Sequence, residues 1–145
     1  MDENEFYDDL AGTLERSWRL LETAVADPAS PARTPVLISV DADGLAQGRT
    51  VVLRDFNRQQ RQLKVYTDVR SAKVAQLRAQ PNCTLVGYQP DPMIQLRLNT
   101  RAVIHHDNEL TRDAWTVMPG PNRCNYLTDP APGSLSVAPT EGRPV

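Results

Sequence analysis

At 145 residues, 40% of them apolar, the chain has material for one hydrophobic core and none over for a second. A net charge of −2, with acidic and basic residues interleaved, excludes the basic stripe of a nucleic-acid binder, and no apolar run approaches the roughly 20 residues of a membrane span. The acidic opening Met1-Asp2-Glu3-Asn4-Glu5 is unlike an export signal, so a cytoplasmic location is expected, where Cys83 and Cys124 stay reduced.

The chain opens with an amphipathic pattern. Phe6, Leu10, Leu14, Trp18, Leu21 and Val25 recur at spacings of three and four, which predicts a helix over 3–26 with one apolar face and acidic first turns. Asp27-Pro28-Ala29-Ser30-Pro31 ends it, because proline cannot continue a helix. Strand signals follow. Val36 to Val40 is a short β-rich run closed by the turn residues Asp41-Ala42-Asp43-Gly44. Gln47 to Asp55 reads as one second strand, antiparallel to the first, and Asn57 to Arg61 as a hairpin loop. Leu63 to Thr67 alternates like a half-buried strand.

Ser71 to Ala79 switches to a helical period with Val74 and Leu77 inward, ending before Pro81. Two strands, Cys83 to Tyr88 and Ile94 to Ile104, flank the turn-rich Gln89-Pro90-Asp91-Pro92. A last helix is predicted from Asn108 to Val117. Residues 119–145 are rich in Pro and Gly and are expected to be irregular, with the final dozen disordered. The chain therefore reads as one domain, 1–118, followed by a tail. Its fold class is mainly β with flanking helices, roughly five to six antiparallel strands, and no sixth strand is evident beyond residue 104 to close a barrel.

Chemistry gathers in one stretch. Ser71 is an N-cap candidate, and the N–H groups beyond it form a natural anion site. Lys73 is one of only two lysines, with Lys64, and sits in the first helical turn, where a cation opposes the helix dipole. A bound anion reverses that cost, and Arg49 on a neighbouring strand offers a bidentate contact to the same group. The plainer alternative is that both are solvated surface charges. The vicinal His105-His106 pair points to opposite faces of an extended chain and has no third ligand, so no metal site is expected. Neither cysteine has an activating base nearby in sequence.

These residues also carry a resemblance. Arg49-Thr50-Val51-Val52-Leu53-Arg54, Tyr66-Thr67, Ser71-Ala72-Lys73, Gln80-Pro81 and Gln95-Leu96-Arg97 follow in order and spacing the motifs of FMN-binding split-barrel proteins similar to pyridoxamine 5′-phosphate oxidase. The match runs over roughly residues 35–104, about half of the chain. It implies an FMN-binding split β-barrel and a homodimer with FMN at its interface. Arg49 and Lys73 would hold the FMN phosphate, with Ser71 opening the helix there. The backbone of Thr50, Val51, Val52 and Leu53 would run beside the isoalloxazine, and Tyr66 and Thr67 would meet the phosphate–ribityl end. Gln95 would bond the flavin's polar edge from across the dimer. Arg54 stands where the oxidases have a lysine on substrate phosphate.

The departures are specific. Ala72 replaces the arginine of Ser-Arg-Lys, with Arg70 nearby as a partial substitute. Val117-Met118-Pro119 stands at the Ser-Arg-Pro step, and the C-terminal Trp and Arg-x-His elements have no counterpart. The resemblance thus implies an FMN-dependent oxidoreductase that passes a hydride between a small molecule and flavin, without the oxidase's own specificity. The alternative is a dimeric module that holds FMN or another ligand without turnover.

Overall fold

A computed structural model describes residues 8–138. Helix α1 spans Leu10–Ala26, and the Asp9 carboxylate caps it by accepting the Ala11 N–H at 3.0 Å. That cap starts the helix later than the periodicity predicts, and its first turn carries no acidic residue; Phe6 and the rest of 3–7 lie outside the described residues. Leu10 and Leu14 are exposed, so the predicted stripe packs only from Trp18 onward. Leu21 and Ala24 are buried, and Trp18 stacks on Phe56 with ring centroids 5.8 Å apart. Arg33 fastens the far end, its Nη1 donating to the carbonyls of Ala24 and Val25, the orphan acceptors of a helix C-terminus.

Six strands follow in two sheets. The larger has the order β2-β1-β5-β6, all antiparallel, from β1 (Val36–Val40), β2 (Ala46–Thr50), β5 (Asn82–Gln89) and β6 (Ile94–Arg101). The smaller pairs β3 (Leu53–Asn57) with β4 (Gln62–Val65). The mainly β, helix-flanked architecture expected from the sequence is therefore present. The single strand predicted over 47–55 is a correction, however. It is two strands in different sheets, joined at Val51-Val52, with the Val51 N–H held by the Pro35 carbonyl at 2.9 Å. The sixth strand missing from the sequence reading is this second half. β4 stops before Tyr66 and β6 stops before 102–104, each shorter than predicted.

Helix α2 (Ala72–Ala79) lies against β1 and buries Val74 and Leu77, as expected. Helix α3 covers Glu109–Val117 with a reciprocal cap between Asn108 and Thr111. The tail beyond it contains a four-residue turn of helix, α4 (Gly120–Arg123), and a 3-10 turn at Cys124–Tyr126. Two buried clusters fill the interior. One joins Leu21, Ala24, Ala32, Leu53 and Leu96, the other Leu37, Val51, Leu77, Cys83 and Leu85, and Leu63 and Leu98 touch both. Leu53, 1% exposed at the crossing between sheets, contributes about 1.5–3 kcal/mol by burial. Among the described residues no helix is long and apolar enough to cross a membrane.

Candidate functional site

The crossing segment puts Arg49 at the end of one sheet and Arg54 at the start of the other. Five steps of extended chain separate them, at most ~17 Å. Arg49 pairs with Leu37 in the β2–β1 ladder, and its half-buried side chain lies where α2 meets β1. Its Nη1 donates to the Ser39 hydroxyl at 2.7 Å and the Leu37 carbonyl at 3.2 Å. Its Nη2 donates to Gln76 Oε1 at 3.1 Å, an oxygen that also accepts from Ser39 at 2.6 Å. Three of its five N–H groups are thus taken up.

Lys73 completes the pair from α2. Its Nζ donates to Thr67 Oγ1 at 2.8 Å and Ser71 Oγ at 3.1 Å, leaving one N–H. Burial lowers its pKa below the ordinary lysine range, and the positive charge of Arg49 lowers it further, while Asp68 opposes. Burial lowers the Arg49 pKa as well. Arg49 and Lys73 lie near enough that the charge of one disfavours the charge of the other. Among the described residues no carboxylate is ion-paired with either. Neutral oxygens hold both, which orients a cation without cancelling its charge.

Ser71 occupies the N-cap position of α2, but its hydroxyl does not cap. It donates to the Asp68 carbonyl at 2.7 Å and receives Lys73. The Val74 N–H is taken by the Ser71 carbonyl at 3.0 Å, and those of Ala72 and Lys73 are left for another acceptor. Thr67 joins this ring of oxygens just past β4, with Tyr66 beside it. Arg70, close to the arginine position taken by Ala72, has partners of its own. It clamps Asp68 through Nε and Nη2 and donates to the Thr128 carbonyl at 2.9 Å. That clamp holds the Asp68 carboxyl below its usual range and blunts the one acidic neighbour of Lys73.

Arg54 stands apart from this cluster. The β3–β4 register skips it, Leu53 facing Val65 and Asp55 facing Lys64. Such a bulge re-aims a side chain. Its guanidinium lies 5.6 Å from the centre of the Tyr66 ring and near Tyr126 from the tail, whose hydroxyl pKa burial raises and the charge of Arg54 pulls back. Tyr126 in turn meets Trp115 edge-on at 6.3 Å, and Arg123 stacks on Trp115. Gln95 sits elsewhere again, exposed on the outer face of β6 opposite Tyr88.

Of the residues named from sequence, Arg49, Thr67, Ser71 and Lys73 converge. Thr50 is exposed, Val51 and Leu53 are buried in the crossing, Val52 lies between them half-buried, and Arg54 with Tyr66 forms a second group. Sequence reasoning missed Ser39, Gln76 and Tyr126. Ser39 left a trace, since it is the inward-facing polar residue in an apolar strand and is fully buried.

This geometry has relatives. The family model for the pyridoxamine 5′-phosphate oxidase FMN-binding domain matches residues 15–106, more than half of the chain. The chain belongs to that family. It carries the family's FMN-binding domain, and the cofactor expected from the sequence is the one for which the domain is named. Among solved structures, a pyridoxamine 5′-phosphate oxidase-related, FMN-binding protein from Nostoc punctiforme aligns with TM-score 0.68 at 23% identity, over 98% of this chain and 72% of that one. PhzG from Burkholderia lata, solved with tetrahydrophenazine-1-carboxylic acid, aligns with TM-score 0.66 at 19% identity, over 84% of this chain. The alignment spans 59% of the PhzG chain. At these identities the likeness is one of fold, the split barrel. No curated protein matches the chain.

Proposed function

We propose that the chain binds FMN with its phosphate between Arg49 and Lys73, and that it is an FMN-dependent oxidoreductase exchanging a hydride with a small molecule. One observation carries the reading: two half-buried cations lie near each other, both held by neutral oxygens and neither ion-paired with a carboxylate among the described residues. A phosphate dianion fits that set, because each cation retains an N–H and the first turn of α2 adds more. Thr67 and Ser71 fix Lys73, while Ser39 and Gln76 fix Arg49. The backbone of Thr50 to Leu53 would run beside a planar ring, with half-buried Val52 as its apolar side chain there, and Tyr66 lies beside the phosphate loop. FMN, when bound, supplies a ring that accepts and returns a hydride.

A homodimer accompanies this reading. Val36, Val86 and Tyr88 share the outer sheet face with Gln95 and Arg97, and Val36 and Tyr88 are exposed large side chains there. A second copy on that face would bring its Gln95 toward the flavin edge. The non-catalytic reading, a dimeric FMN-holding module, draws on a different observation. Arg54, the residue matched to substrate phosphate, is already engaged by Tyr66 and Tyr126.

The test compares FMN with riboflavin, which lacks the phosphate. Two charge-assisted contacts at roughly 1.5–3 kcal/mol each predict FMN tighter by about a hundredfold or more. Equal affinity would remove the phosphate assignment. Bleaching of the bound flavin by NADH, NADPH or pyridoxamine phosphate, with recovery in air, supports the oxidoreductase; persistent colour with all three favours the module.

A further inference from the structure

The segment that follows α3 turns back onto the barrel. From Pro119 to Thr128 it runs through α4 and the 3-10 turn. It ends at the loop between β4 and α2, where Arg70 Nη2 donates to the Thr128 carbonyl at 2.9 Å. On the way Tyr126 passes near Arg54, the guanidinium that lies over Tyr66. The segment is also tied to α3. Arg123 Nη2 donates to the Thr116 carbonyl at 3.1 Å, and both Arg123 and Tyr126 meet the Trp115 ring.

These attachments are polar or ring-edge contacts. Neither α3 nor the two turns after it bury a residue, whereas α1 and α2 each bury two. A segment without buried apolar anchors belongs to the low-stability end of a fold. Buried polar atoms without a partner also concentrate here. Among the described residues there are four such side-chain atoms, and Arg54 Nε, Arg123 Nε and Thr128 Oγ1 are three of them. Native folds leave few groups in that state, and each regains a water partner when its cover lifts. The charge of Arg54 is not neutralised either, since among the described residues no carboxylate is ion-paired with it.

We infer that residues 119–128 are a strap closed over Arg54, and, resting on the proposed oxidoreductase for its purpose, that the strap opens to admit the small molecule to that end of the flavin site. Closed, it sets Tyr126 beside the guanidinium and shuts Nε off from water. Open, it returns Arg54, Arg123 and Thr128 to solvent and leaves Arg54 beside Tyr66 alone. The unsatisfied atoms favour opening, and the ties at Arg70, Tyr126 and Arg123 favour closure. An arrangement balanced in this way is cheap to switch, unlike the buried core beneath it.

The test uses the full-length chain and three variants, Arg70→Met, Tyr126→Ala and Arg123→Gln. Hydrogen exchange reads the amides of 119–128. Labelling by phenylglyoxal, located by mass spectrometry, reads Arg54 against Arg78, which is exposed on α2. In the native chain Arg54 reacts several-fold more slowly than Arg78. Each substitution removes one tie, so the strap amides exchange and Arg54 reacts about three- to thirtyfold faster. Arg78 and the amides of β5 and β6 keep their rates. The inference is overturned if Arg54 reacts as fast as Arg78 in the native chain, if no substitution speeds strap exchange, or if the strap amides speed up while Arg54 does not. Bound flavin is read in every sample. A colourless protein counts against the FMN reading, and the exchange and labelling still decide the strap.

Discussion

The two ends of the crossing segment are built in opposite ways. At the Arg49 end, Ser39, Gln76, Thr67 and Ser71 hold two cations in place with neutral oxygens, and the positive charge stays available. At the Arg54 end, the guanidinium already lies over Tyr66 and near Tyr126, and its Nε is buried without a partner among the described residues. The first end is pre-organised to receive an anion within one chain. The second is occupied by the chain's own tail. Under the proposed function, this contrast would separate affinity for cofactor, assigned to Arg49 and Lys73, from selection among reaction partners, assigned to Arg54 and Tyr126.

The largest effect expected is at the pre-organised end. Arg49→Ala with Lys73→Ala removes both cations and lowers FMN affinity by about a hundredfold to ten-thousandfold, measured by fluorescence titration, while circular dichroism stays that of the native chain. A weaker result would mean that the helix N-terminus alone holds the phosphate.

Next comes Lys73 alone. Removing its charge with Lys73→Met relieves burial of a cation and its repulsion from Arg49, so the melting temperature without flavin rises. FMN affinity falls in the same variant, by roughly ten- to a hundredfold. Opposite signs on stability and binding mark a residue placed for a ligand rather than for the fold. A loss of both would make Lys73 structural.

The pH dependence follows from the same residue. The folded chain holds the Lys73 proton more weakly than the unfolded chain. Without flavin, stability therefore rises as pH climbs from the depressed pKa toward the ordinary lysine value. FMN needs the protonated amine, so its affinity falls as pH climbs through the same window. Lys73→Arg, charged throughout, should flatten that fall. An unchanged profile in Lys73→Arg would assign the pH effect to another group.

The smallest effects belong to the occupied end. Arg54→Ala should alter FMN affinity less than tenfold, and Tyr126→Phe less still, since it keeps the ring against Trp115 and loses only the hydroxyl. Both should act instead on reduction of the bound flavin by a small-molecule donor, measured by stopped-flow bleaching. A collapse of FMN affinity in Tyr126→Phe would erase the distinction between the two ends.

The sequence made the Arg49 end legible and the Arg54 end largely not, for physical reasons. Lys73 stood out because a lone lysine in a helix's first turn opposes the dipole, and Ser71 because capping residues mark helix starts. Arg49's partners were harder to see, since Ser39 and Gln76 lie 10 and 27 residues from it in sequence, and only the β1 alternation that turns Ser39 inward hinted at one of them. The change of sheet at Val51-Val52 was hidden because both residues sit in a continuous apolar run whose burial erases alternation. Tyr126 lies in a tail with no periodicity, where packing depends on tertiary contacts alone. The exposed Leu10 and Leu14 show the converse, a helical stripe that continues past the surface it covers.

The phosphorus-31 resonance of bound FMN, followed from pH 5 to pH 8, tests the anion pocket most directly. A phosphate held by Arg49 and Lys73 stays dianionic across that range, because two adjacent cations push its second pKa, near ~6 in water, below the window. A bound phosphate whose resonance titrates near ~6, as it does in free solution, would contradict the account.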